Sequence, residues 1–120
     1  MIDLAIPREP WWLDLPGGVR VHVRPLTTAL MLAARQRLRQ KDGEHEDAGE
    51  AMDEAARIEA LVKALACEAV LAWEGVVAAG DPVEPSPDAL AAVLDRWPVF
   101  EAFRDGYFAP SLLLDAEKNG

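Results

Sequence analysis

Apolar and polar positions first organise into two short runs. Trp11-Trp12-Leu13-Asp14-Leu15 is followed, across Pro16-Gly17-Gly18, by Val19-Arg20-Val21-His22-Val23-Arg24, which alternates with period two. Alternation places the three valines on one face and Arg20, His22 and Arg24 on the other, while glycine supplies the positive φ of a tight connection. A β-hairpin is therefore predicted over about 11–24. Two strands alone are marginal in water, so the valine face must rest on helices or the hairpin edge must pair with a neighbouring subunit.

Beyond Pro25 the period changes to three or four. Thr27 or Thr28 is placed to cap a helix over about 28–41 whose apolar positions are Leu30, Met31, Ala34 and Leu38. Arg35, Arg37, Arg39 and Lys41 gather toward its carbonyl end, where positive charge is favourable. Residues 42–49 hold two glycines, four acids and no apolar period, the pattern of an exposed connection. The longest periodic stretch, Ile58, Leu61, Val62, Leu65, Ala69, Trp73 and Val76, predicts a central helix over about 50–79, with Glu59 and Lys63 as an i,i+4 pair on its outer side. Gly75 is expected to loosen its last turns.

Gly80 to Pro85 is a turn-rich break, after which Ser86-Pro87-Asp88 supplies a cap, a first-turn proline and a first-turn acid in the order a helix start prefers. Leu90, Val93, Leu94 and Trp97 then predict a helix over about 87–97, and Val99, Phe100, Phe103 and Tyr107 another over about 99–108, followed by a tail over 111–120. The fold class expected from this series is mainly α: one small helical domain over 1–120, of four to five helices with an N-terminal β-hairpin.

Composition narrows the partners. Asp and Glu number 21 against 12 Lys and Arg, a formal charge of -9 that repels phosphate backbones and anionic lipid, so neither nucleic acid nor a membrane is expected as partner. Cys67 is the one cysteine, which rules out an intramolecular disulfide and fits a cytoplasmic setting. The first residues lack a signal-peptide pattern, and no stretch approaches the roughly 18 uncharged apolar residues needed to span a bilayer.

The catalytic inventory is thin: two histidines, one cysteine and no phosphate-cradling glycine loop. His22 lies between arginines on the polar face of its strand, where a solvated side chain is expected. His45 stands among Glu44, Glu46 and Asp47, but the run lacks the EF-hand glycine and any fixed geometry. Cys67 has no histidine at helical spacing to lower its pKa and is expected to be structural. No catalytic residue, metal or cofactor is assigned. An enzyme using His45 and its acidic neighbours with a divalent metal is the alternative from a different class.

Tryptophan is the more suggestive residue type, because it buries large area with little entropy loss. Trp11 and Trp12 are adjacent on a strand and must face opposite ways, which favours a partner for one of them. Trp73 and Trp97 fit a core as well as an interface. With Phe100 and Tyr107 these four form the set of candidate protein-binding residues.

Several of these segments, in order, carry a family resemblance. Leu15-Pro16-Gly17-Gly18, Val21-His22-Val23-Arg24-Pro25-Leu26, Ala72-Trp73-Glu74-Gly75-Val76, Asp81-Pro82-Val83-Glu84-Pro85-Ser86 and the closing Ala116-Glu117-Lys118-Asn119 make the chain from about Trp11 onward resemble tail assembly chaperones of long-tailed phages and phage-derived gene transfer agents. The resemblance implies a non-enzymatic helical protein that coats the tape-measure protein in the bacterial host cell, keeps its apolar helices soluble and recruits tail-tube subunits; a homo-oligomer is the further partner the hairpin edge leaves open. A structural tail or head-tail component retained in the particle is the alternative in the same setting.

Overall fold

Val19, Val21 and Val23 decide the architecture, because a strand with one wholly apolar face has to be covered on that face and paired on both edges. The computed structural model describes residues 4–5, 9–44 and 53–110, with backbone alone for 41–44. Strand β1 (Trp11–Leu15) pairs antiparallel with β2 (Val19–Val23), opposing Trp11 to Val23, Leu13 to Val21 and Leu15 to Val19. Opposed residues share a face, so these six make the inner surface of the hairpin, and Trp12, Asp14, Arg20 and His22 the outer one.

Helix α1 (Thr28–Glu44) starts at Thr27, whose hydroxyl oxygen accepts from the Leu30 N–H at 3.1 Å. Helix α2 (Glu54–Ala69) starts at Asp53, whose carboxylate accepts from the Ala56 N–H at 2.8 Å. The two helices pack together through Leu30 and Ala34 of α1 and Val62, Leu65 and Ala66 of α2, all buried. Arg37 of α1 reaches Glu68 of α2 at 2.6 Å across the same seam.

The expected central helix over 50–79 is corrected here: α2 ends at Ala69, and Val70–Glu74 is strand β3, antiparallel to β2. Arg20 opposes Glu74, Val21 opposes Trp73 and His22 opposes Ala72, so β2 is the middle of a three-stranded sheet in the order β1-β2-β3. A register shift beside Val23 lets Val70 oppose it and leaves Leu71 as the extra residue. The physical reason is the hairpin edge. The second edge of β2 would otherwise carry unpaired N–H and C=O groups, and five residues after α2 satisfy them, the Arg24 N–H donating to the Ala69 carbonyl at 3.0 Å where helix becomes strand. Spacings of three and four from Ala69 to Trp73 and Val76 do not separate a helix from a short strand that alternates inner and outer positions.

Gly75 (φ +88°) turns the chain out of β3 into a two-stranded ribbon, β4 (Val77–Ala78) with β5 (Asp81–Pro82). Helix α3 (Pro87–Leu94) is capped by the Ser86 hydroxyl, which accepts from the Ala89 N–H at 3.1 Å, with Pro87 in the first turn. Helix α4 (Trp97–Phe103) continues into a π-helical turn, Arg104–Phe108. The wider turn lays Gly106 against Leu13 and lets the Tyr107 hydroxyl donate to the Arg24 carbonyl at 2.8 Å, fastening the last helix to the end of β2.

The fold class is accordingly mixed α/β, with helices on one face of a small sheet, rather than mainly α. Its core is one cluster to which sheet and helices both contribute: Leu15, Val21 and Val23 meet Val62, Leu65, Leu90, Leu94, Phe103 and Tyr107. Burial of each large side chain contributes roughly 1.5–3 kcal/mol, against about 1 kcal/mol or less for each exposed ion pair, so the apolar inner face holds the molecule together.

Candidate functional site

Sheet register sorts the six candidate aromatics. Trp11 points inward and stacks on Tyr107, ring centroids 5.8 Å apart, but stays 39% exposed at the end of the sheet. Trp12 points outward, stacks on His22 at 4.8 Å and lies under the Arg20 guanidinium at 4.8 Å. The opposite orientation of these neighbours is the one their strand requires. Arg20 also joins Asp14 at 3.1 Å and Glu74 at 3.4 Å, a ladder across the three strands that occupies the outer sheet face.

Trp73 is half-buried on the inner face, its indole N–H donating to the Val83 carbonyl at 2.5 Å. It works as a tie between β3 and the segment leading to α3. Phe100 and Tyr107 are buried at 7% and 1% exposure, so as they stand they offer a partner almost no surface. Trp97 is the most exposed of the six at 59%, stacked on Phe100 at 6.0 Å with Arg104 over its ring at 5.7 Å.

The larger opportunity for binding is a groove of about 720 Å³ that none of these six aromatics lines. Pro16, Gly17 and Val19 of the hairpin form one wall, Gly75 to Ala78 and Val83 a second, and α3 with the start of α4 the third, through Ala89, Ala92, Val93, Arg96, Pro98 and Val99. The walls meet closely. A Cβ on Gly75 would run into the Gly18 carbonyl, so glycine is what lets β3 turn away against the hairpin loop. Val77 stands 60% exposed at the rim. Every lining side chain is apolar or absent except that of Arg96. An apolar concavity with one polar group is suited to receive an apolar segment and fix its orientation.

Reactive groups lie elsewhere. A second cleft between α1, α2 and α3 holds Arg37, Lys63 and Cys67. Its charges are answered within the molecule: the Glu68 hydrogen bond holds the Arg37 pKa above its usual value. Partial burial alone would lower the Lys63 pKa, yet Glu59 at 2.7 Å and Asp95 at 3.5 Å raise it overall. Among the described residues no three His, Cys, Asp or Glu side chains lie close enough together to hold a metal ion. His45 with Glu46 and Asp47, and the tail motif Ala116 to Asn119, lie outside the described residues. No helix among the described residues is long and apolar enough to cross a membrane.

The groove was not predicted, because most of its second wall, the Gly75 turn and β4, falls in the stretch read as the end of one helix. The available signal was paired: Gly75 and Gly80 bracket Val76 to Ala79, a spacing better suited to turns than to a helix interior. Compared with protein-family models, curated proteins and solved structures, the chain matches none of them.

Proposed function

We propose that the chain is a tail assembly chaperone of the phage or gene-transfer-agent type, which binds helical segments of a tape-measure protein in the apolar groove and helps recruit tail-tube subunits. The observation that carries this reading is the groove itself, about 720 Å³ and lined by apolar side chains apart from Arg96. Two of the segments on which the resemblance rests, Leu15 to Gly18 and Ala72 to Val76, contribute to its walls and touch where Gly75 abuts Gly18. A client helix seated there hides its apolar stripe from other copies of the client, and the charge of -9 keeps the complex dispersed.

Co-expression with a long helical tape-measure protein tests the proposal. The client is expected in the soluble fraction only when this chain is present, and in a stable complex with it on gel filtration. A client equally insoluble with and without the chain contradicts the reading.

A further inference from the structure

We propose that the groove selects an amphipathic helix whose buried stripe is aliphatic and which carries an aspartate or glutamate beside that stripe, placed to meet Arg96. This rests on the reading that the groove receives a client helix, and adds which chemistry it accepts. Ala89, Ala92 and Val93 follow the i, i+3, i+4 spacing of one face of α3, Arg96 follows its end as the residue that starts α4, and all four line the groove. Small side chains at the first three let a second helix axis approach to about 8–10 Å, with Val77 and Val83 facing it from the other wall.

Arg96 is the groove's single charged lining residue, in a chain of net charge -9. Its guanidinium donates to the Ala92 carbonyl at 3.1 Å and has no carboxylate partner among the described residues. The neighbouring Asp95 is directed to Lys63 of α2, away from Arg96. Arg20, Arg37 and Arg104 each hold an acid of this chain, and of the described arginines that do not, Arg96 is the one that lines the groove. A guanidinium with open donors at the mouth of an apolar groove is complementary to a carboxylate arriving on the client.

The test places a photoactivatable benzoylphenylalanine at Val77, at Ala92, or at Leu32 of α1, which is 55% exposed and outside the groove, in the full chain co-expressed with the tape-measure protein. Cross-links to the client from Val77 and Ala92 but not from Leu32 are expected. Arg96→Glu, an exposed position, is expected to leave the circular dichroism spectrum unchanged and to weaken client binding about tenfold, an effect that shrinks in high salt. Lysine in place of the cross-linked segment's acid is expected to restore binding to Arg96→Glu. A client held soluble and cross-linked from the groove, but with affinity indifferent to Arg96→Glu, overturns this inference and leaves the chaperone reading standing; a client held soluble without cross-links from the groove overturns the groove as its seat as well. A client not held soluble at all overturns the chaperone reading too.

Discussion

Gly75 and Ala79 are four residues apart, both in the left-handed region at φ +88° and +52°, and they predict opposite results. At Gly75 a Cβ would be strained and would meet backbone atoms of Gly18 that have no rotamer to move. Gly75→Ala should therefore lower the unfolding free energy by about 2–3 kcal/mol in a denaturant titration. Ala79 already bears the cost of a left-handed conformation in the two-residue turn between β4 and β5, where asparagine is better tolerated. Ala79→Asn should raise stability by about 0.5 kcal/mol in the same titration. Tyr107→Phe removes one hydrogen bond and leaves the Arg24 carbonyl without that donor, a loss of about 1 kcal/mol. Of the aromatic residues, the opposed directions of Trp11 and Trp12 were legible from strand alternation alone. The seating of Tyr107 was not, because it depends on a π-helical turn that no local spacing announces.

At the scale of elements, capping chemistry was readable and the boundary between helix and strand was not. Ser86, Pro87 and Asp88 act locally, within one turn, and the sequence places that helix start correctly. The α2–β3 boundary is set by β2, some fifty residues earlier in the chain, whose edge offers partners that no window around Val70 contains. The groove depends on the same event, since its second wall exists only because the chain leaves the helix and turns at Gly75. The Trp73 indole holds that wall through the Val83 carbonyl. Trp73→Phe should cost about 1 kcal/mol of global stability. Amide exchange should also accelerate over 77–83 more than over α2, where no contact is lost.

For the whole molecule, charge and shape act together. A net charge of -9 disperses the protein, while the sheet, the ribbon and α3 enclose an apolar concavity with a single arginine in its lining. Charge and the thin catalytic inventory were legible in composition; the concavity was not, because it is assembled from three segments distant in sequence. The most direct measurement of the central claim, that a client helix sits in this groove, is amide hydrogen exchange of the full chain with and without a soluble tape-measure fragment. Protection concentrated in residues 75–83 and 89–99, with α1 unchanged, is the result the account predicts. Protection centred on α1 or on the outer sheet face around Trp12, or none at saturating fragment, would contradict it.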